Sequence, residues 1–105
     1  MQNYNIIIKI DAQEDLTNIN DYISTVLFAP SAANALLDKI EAVFSSLRSF
    51  PEMGTLLKTE IQTKFVYRWI KVDNYLIFYT VDSTTETVHI MRVLFGASNY
   101  LNVLK

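Results

Sequence analysis

The residues able to do chemistry in this chain are few. His89 is the only histidine and the natural general base near neutral pH. No serine or aspartate is spaced with it as a nucleophilic constellation, so it reads as an ordinary strand histidine. One histidine without cysteine also lacks a metal ligand set. Arg68, Lys71 and Arg92 are cations within β-patterned segments, and Tyr100 is a phenol near the C-terminus. Arg68 and Arg92 could hold a phosphate or an acidic partner residue. Arg68 and Arg92 have a plainer reading too: arginine stems packed on a sheet, with heads paired to Asp15, Glu14 or Asp82. Phe65, Tyr67 and Trp69 alternate on one strand face, where they could stack bases. So little positive charge accompanies them that packing or protein contact is the better reading. Asp11, Glu14, Asp15, Asp21, Asp38 and Glu41 fall mostly on helix exteriors, and two glycines are too few for a phosphate-cradling loop.

The elements that position these groups follow from hydrophobic spacing. Tyr4 to Ile10 is isoleucine-rich and reads as a strand. Asp11 with Glu14 three residues on has the form of a capping box. Leu16, Ile19, Tyr22, Ile23, Val26 and Leu27 then form a helical stripe, which Pro30 breaks at Ala29. A second helix starts near Pro30 and Ser31, with the stripe Ala33, Leu36, Leu37, Ile40, Val43, Phe44 and Leu47. Phe50-Pro51 ends it. The very short connection predicts an antiparallel helical hairpin. Glu52 to Lys64 is weakly patterned, a loop with room for a short strand.

Beyond it the period becomes two. Strands are expected at Phe65 to Val72, Tyr75 to Val81 and Thr87 to Phe95, with turns at Asp73-Asn74 and Asp82 to Glu86. Gly96 stops the last strand, and Ala97 to Leu104 suits a short final helix. The order is β-α-α-β-β-β with a terminal α. It predicts an α+β fold: an N-terminal strand and a helical hairpin packed on one face of a twisted antiparallel sheet. The strands are apolar on both faces, however, and two helices cover only one. The other face calls for the C-terminal segment, a second copy or a partner chain. Self-association or poor solubility of the isolated chain is therefore expected.

Composition agrees. The chain has 105 residues, 50% of them hydrophobic, no cysteine and a net charge of −2. That length suits one domain spanning residues 1–105. It buries roughly 60–70% of its unfolded surface without disulfides or metal. The charge balance argues against holding nucleic acid mainly by charge. With no signal-like N-terminus and no apolar run of membrane length, a cytoplasmic chain that avoids membranes is expected.

The same residues resemble the RelE/ParE superfamily of bacterial toxins from type II toxin–antitoxin systems, closer to its ParE branch. The resemblance covers nearly the whole chain. It runs through Ala12-x-x-Asp15-Leu16-x-x-Ile19 with Tyr22-Ile23, and through Pro30-Ser31-Ala32-Ala33 and Ile40. It continues with Leu47 and Phe50-Pro51-x-x-Gly54, then Tyr67-Arg68 with Asn74 to Tyr79, and Val88-x-Ile90-x-Arg92-Val93-Leu94-x-Gly96. It implies the fold expected above, no cofactor and a cognate antitoxin that wraps the toxin. RelE-like members cut messenger RNA on the ribosome with sheet lysines, arginines and a tyrosine. In register with them, those roles fall on Tyr67, Trp69, Leu76, Ser98 and Leu104, and all are unfilled. Arg68, Lys71, Arg92 and Tyr100 remain as a different candidate set. ParE-like members poison DNA gyrase by protein contact. Here the glycine is followed by Ala97-Ser98-Asn99-Tyr100, where that branch usually has arginines. The resemblance thus implies a toxin acting through protein binding. Tyr67, Arg68, Trp69, Arg92, Phe95, Ser98, Asn99 and Tyr100 are its candidate target- or antitoxin-binding residues. The alternatives are a ribosome-dependent messenger endoribonuclease and a non-toxic module that only binds its antitoxin.

Overall fold

The computed structural model describes residues 3–59 and 62–105. Its elements are β1 (Asn5–Ile8), α1 (Ile10–Asp21), a π-helical turn (Tyr22–Val26), α2 (Pro30–Ser49), β2 (Thr55–Leu56), β3 (Arg68–Val72), β4 (Tyr75–Asp82), β5 (Thr87–Phe95) and α3 (Tyr100–Leu104). The strands form one sheet in the order β1-β5-β4-β3-β2. This is the expected α+β arrangement with its helical hairpin. One pair departs from antiparallel: β1 runs parallel to β5, with Ile6 opposite Val88 and Ile8 opposite Ile90.

The hairpin follows its stripes. Ala12, Ile19 and Ile23 are buried from the first helical segment, and Ala33, Leu36, Ile40, Phe44 and Leu47 from α2. They pack on one sheet face against Val72, Ile77, Tyr79, Val88, Ile90 and Val93. The expected capping box does not form. Lys9 occupies the cap position with no side-chain hydrogen bond, and Asp11 lies inside the first turn. Instead, the Gln13 side-chain amide donates to the Ile8 carbonyl at 2.9 Å, tying α1 to the end of β1. The first helix then widens. Leu27 N–H donates to the Tyr22 carbonyl, and the Thr25 hydroxyl donates back to the Asp21 carbonyl. Such side-chain competition for backbone acceptors loosens a helix. Pro30 follows at the start of α2, where its missing N–H is harmless.

β3 is shorter than its aromatic run. Regular pairing starts at Arg68, opposite Tyr79 and Leu56, and Phe65 and Val66 are left exposed. The β3–β4 turn is the expected two-residue one, with Asp73 at φ 53°. In the β4–β5 turn the Asp82 carboxylate accepts from Thr84 N–H, the Thr84 hydroxyl and Thr85 N–H. The Thr84 hydroxyl leads in holding Asp82 below the usual carboxylate range.

The register shifts between Phe78 and Tyr79, which face Arg92 and Ile90. Met91 is therefore the extra residue of a β-bulge in β5. Gly54 meets the sheet at close range: its N–H donates to the Tyr79 hydroxyl at 2.8 Å. A Cβ there would stand 2.6 Å from that oxygen and 2.9 Å from the Trp69 carbonyl oxygen. Gly54→Ala should cost about 1–3 kcal/mol through forced displacement, read as a lower urea midpoint. An unchanged midpoint would show that the approach is not tight.

Candidate functional site: the second face of the sheet

The sheet face away from the hairpin carries a second apolar cluster. Tyr67, Phe78 and Leu104 are its buried members, with Leu57, Trp69, Leu76, Met91, Leu94 and Tyr100 packed around them. The cover is the C-terminal segment. α3 lays Leu104 into the cluster and sets the Tyr100 ring 5.1 Å from that of Phe78. Of the three covers that the surplus apolar surface called for, the chain supplies one itself. Phe78 is wholly buried without a second polypeptide.

The cover is incomplete. Between β2 and the end of β5 lies a cleft of about 780 Å³. Trp69, Leu76, Phe78, Phe95 and Tyr100 supply its apolar surface, with Lys58 and Lys71 as its cations. No carboxylate stands among its described lining residues, and neither lysine forms an ion pair with a described carboxylate. An apolar floor with unpaired cations suits an apolar, acidic polypeptide.

The candidate residues divide by face. Trp69, Lys71, Phe95 and Tyr100 come together in the cleft. Tyr67 is buried beneath it and supports the floor. Ser98 and Asn99 are exposed between β5 and α3, with Ser98 N–H donating to the Phe95 carbonyl at 2.9 Å. Arg68 lies elsewhere, in a hollow with Glu52, Leu56 and Val66. Its guanidinium donates to the carbonyls of Gly54 at 2.8 Å and Glu52 at 3.2 Å, pinning the loop after α2.

Arg92 is also engaged, by the plainer of its two readings. It donates to both carboxylate oxygens of Asp15 on α1, at 2.7 and 2.8 Å. The same carboxylate accepts Val93 N–H at 3.0 Å. β1 stops opposite Ile90, so the next stretch of β5 has no strand partner on that side. Asp15 takes the place of one. Hydrogen bonding to Asp15 holds the Arg92 guanidinium more firmly protonated than usual. His89 lies half-buried in a hollow with Phe65, Val66, Thr80 and Asp82. Among the described residues no cluster of three or more histidines and carboxylates could hold a metal. No described helix is long and apolar enough to cross a membrane.

Lys58, Asn74 and Leu76 belong to the cleft but were not singled out in the sequence. Lys58 sits in the weakly patterned loop, where no periodicity marks its direction. Leu76 reads as strand core and, by the resemblance, as an unfilled RelE-like position.

Burial raises the hydroxyl pKa of Tyr67, Tyr75 and Tyr79 above the ordinary 10.0. Above about pH 10 the unfolded chain therefore releases protons that the folded chain keeps. Stability present below that pH should fall as the pH rises through it. Urea midpoints measured between pH 8 and 11 should decline at the alkaline end, less steeply in Tyr79→Phe. A flat profile would contradict the assigned burial.

The family described as ParE toxin of type II toxin–antitoxin system, parDE, matches residues 6–100. No curated protein matches the chain in sequence. Among solved structures, the chromosomal ParDE system from P. aeruginosa is 18% identical, with 88% of this chain and 95% of that chain covered, at TM-score 0.68. The toxin–antitoxin complex RelBE2 from Mycobacterium tuberculosis is 22% identical, with 89% and 98% covered, at TM-score 0.61. A mutant of the E. coli toxin RelE in the free state is 9% identical, with 98% and 94% covered, at TM-score 0.65. These structures share the fold. With 95 contiguous residues matched by the family, from 6 to 100, the chain belongs to the ParE toxin family of type II toxin–antitoxin systems.

Proposed function

We propose that this toxin acts by protein contact through the second face of its sheet, with DNA gyrase as target, and that a cognate antitoxin silences it by covering the same face. The observation that carries this reading is where the cations go. Cleaving a phosphodiester needs donors aimed at developing charge, and losing one costs several kcal/mol of barrier. Arg92 is held by Asp15 on α1, and Arg68 is held by two carbonyls beside the hairpin. Neither lines the cleft. Of the four nuclease candidates only Lys71 and Tyr100 reach it, and the Tyr100 ring lies against Phe78. The remaining surface is apolar and aromatic, rimmed by lysines, which is the composition of a protein-binding site. An antitoxin segment with acidic and apolar side chains fits it. The solved relatives determined as ParDE and RelBE toxin–antitoxin systems make such a partner the natural expectation.

The test is induction of the chain without an antitoxin. Growth should stop, with cleaved DNA accumulating while messenger RNA stays intact. Rapid fragmentation of messenger RNA would favour the endoribonuclease instead. Undisturbed growth would make the chain an antitoxin-binding module without toxicity.

A further inference from the structure

One wall of the cleft is too slight to hold itself in place. Thr55, Leu56, Leu57 and Lys58 form it. The strand within it, β2, is two residues long, and both residues are exposed. Beyond that short pairing, Leu57 N–H donates to the Tyr67 carbonyl at 2.9 Å. A segment with so few buried contacts opens at low cost in free energy.

What holds the wall stands one residue earlier, outside the cleft. Gly54 is buried and gripped at both of its backbone groups. Its N–H donates to the Tyr79 hydroxyl at 2.8 Å, and its carbonyl accepts from Arg68 Nη1 at 2.8 Å. The same Nη1 reaches the Glu52 carbonyl at 3.2 Å. Both grips start from fixed points. Tyr79 is wholly buried in the core under the hairpin, and Arg68 is built into β3, opposite both Leu56 and Tyr79. A guanidinium donor makes the stronger, charge-assisted kind of hydrogen bond. The approach also needs glycine, since a Cβ at residue 54 would meet the Tyr79 hydroxyl at 2.6 Å.

Neither Arg68 nor Tyr79 lines the cleft. We propose that both are positioning residues for it: through Gly54 they fix β2 as the wall, and so govern binding at a surface they do not touch. Losing the clamp frees the wall to swing away from Trp69, which faces Thr55 across the pairing. The release is local, because neither Thr55 nor Leu56 belongs to the core between hairpin and sheet. A fixed wall holds the cleft ready for its partner and lowers the ordering cost of binding. That last step rests on the cleft being the proposed protein-binding surface; the clamp itself does not.

Backbone hydrogen exchange on the full chain, followed by NMR, tests the clamp. Arg68→Ala should speed exchange at Gly54 and Leu57 by at least about tenfold, with the amides of β5 changed less than about twofold. Arg68→Lys keeps a cationic donor and should fall between Arg68→Ala and the wild type. Tyr79→Phe removes the acceptor of Gly54 N–H and should speed the same two amides. Should Arg68→Ala fail to fold, as judged by circular dichroism, Arg68→Gln against Arg68→Lys gives the same comparison. The toxin concentration that half-inhibits supercoiling by purified gyrase should rise at least about tenfold in Arg68→Ala and recover in part in Arg68→Lys. Unchanged exchange at Leu57, or acceleration spread equally over β5, would overturn the clamp. A released wall with unchanged inhibition would overturn its role in binding. A wild type that leaves gyrase uninhibited would overturn the proposed target instead, and the exchange result then decides the clamp by itself.

Discussion

Asp15→Ala should lower the stability of this toxin by about 2–3 kcal/mol, a large effect for a side chain outside the apolar core. Asp15 and Arg92 retain only 11% and 27% of their side-chain exposure. Removing the carboxylate leaves a half-buried guanidinium without its counter-ion. It also leaves Val93 N–H, which has no other described partner, unsatisfied at the point where β1 no longer flanks β5. A buried donor left without an acceptor is costly in itself. Arg92→Ala should cost less, because Asp15 keeps its bond to Val93 N–H. Urea denaturation checks the order. Equal losses for the two variants, or an Asp15→Ala loss under about 0.5 kcal/mol, would show that the carboxylate does not stand in for a strand.

The second large effect is expected at Phe78. Its side chain is wholly buried on the second face, and Tyr100 lies across it. Phe78→Ala should cost about 3–5 kcal/mol, the range for deleting a core aromatic. Part of that loss should appear as release of α3, because Tyr100 and Leu104 lose the surface on which they rest. Proteolysis near the C-terminus should then accelerate before global unfolding. Val103→Ala, on the exposed side of α3, is the control and should change stability little. If Phe78→Ala leaves the C-terminal segment as protected as in the wild type, α3 is not held by that ring.

The helical layer was legible because its apolar stripes repeat at steps of three and four and its breakers are prolines. Pro30 and Pro51 mark the bounds of α2 within a residue or two. The three long strands were legible from their period-two aromatic and β-branched runs. What escaped was set by contacts between distant segments. The Asp11-Glu14 pattern suits a cap locally, but the helix starts two residues earlier, with Lys9 at the cap position and Gln13 bonded to Ile8. The bulge at Met91 leaves no mark in composition, yet it adds one residue between Ile90 and Val93, which share a face. β1 reads as a strand from its isoleucines, but its direction depends on which edge it reaches.

The candidate site was partly legible for the same reasons. Alternation put Trp69 and Lys71 on one strand face, and the run after Gly96 pointed to Tyr100. The fate of the arginines needed tertiary structure. A cation on a strand has the same appearance in sequence whether it faces a phosphate or a carboxylate. The Asp15 and Arg92 pairing spans 77 residues of chain, beyond the reach of any local pattern.

On the proposed function, the cleft is a binding surface for a protein rather than a seat of RNA chemistry. The most direct measurement is supercoiling by purified gyrase in the presence of the purified toxin. Inhibition should appear with the wild type. It should be lost in the Lys71→Glu/Phe95→Asp variant, which alters two exposed cleft residues, while that variant keeps its fold by circular dichroism. Uninhibited supercoiling at toxin concentrations that still cut ribosome-bound messenger RNA would contradict the account.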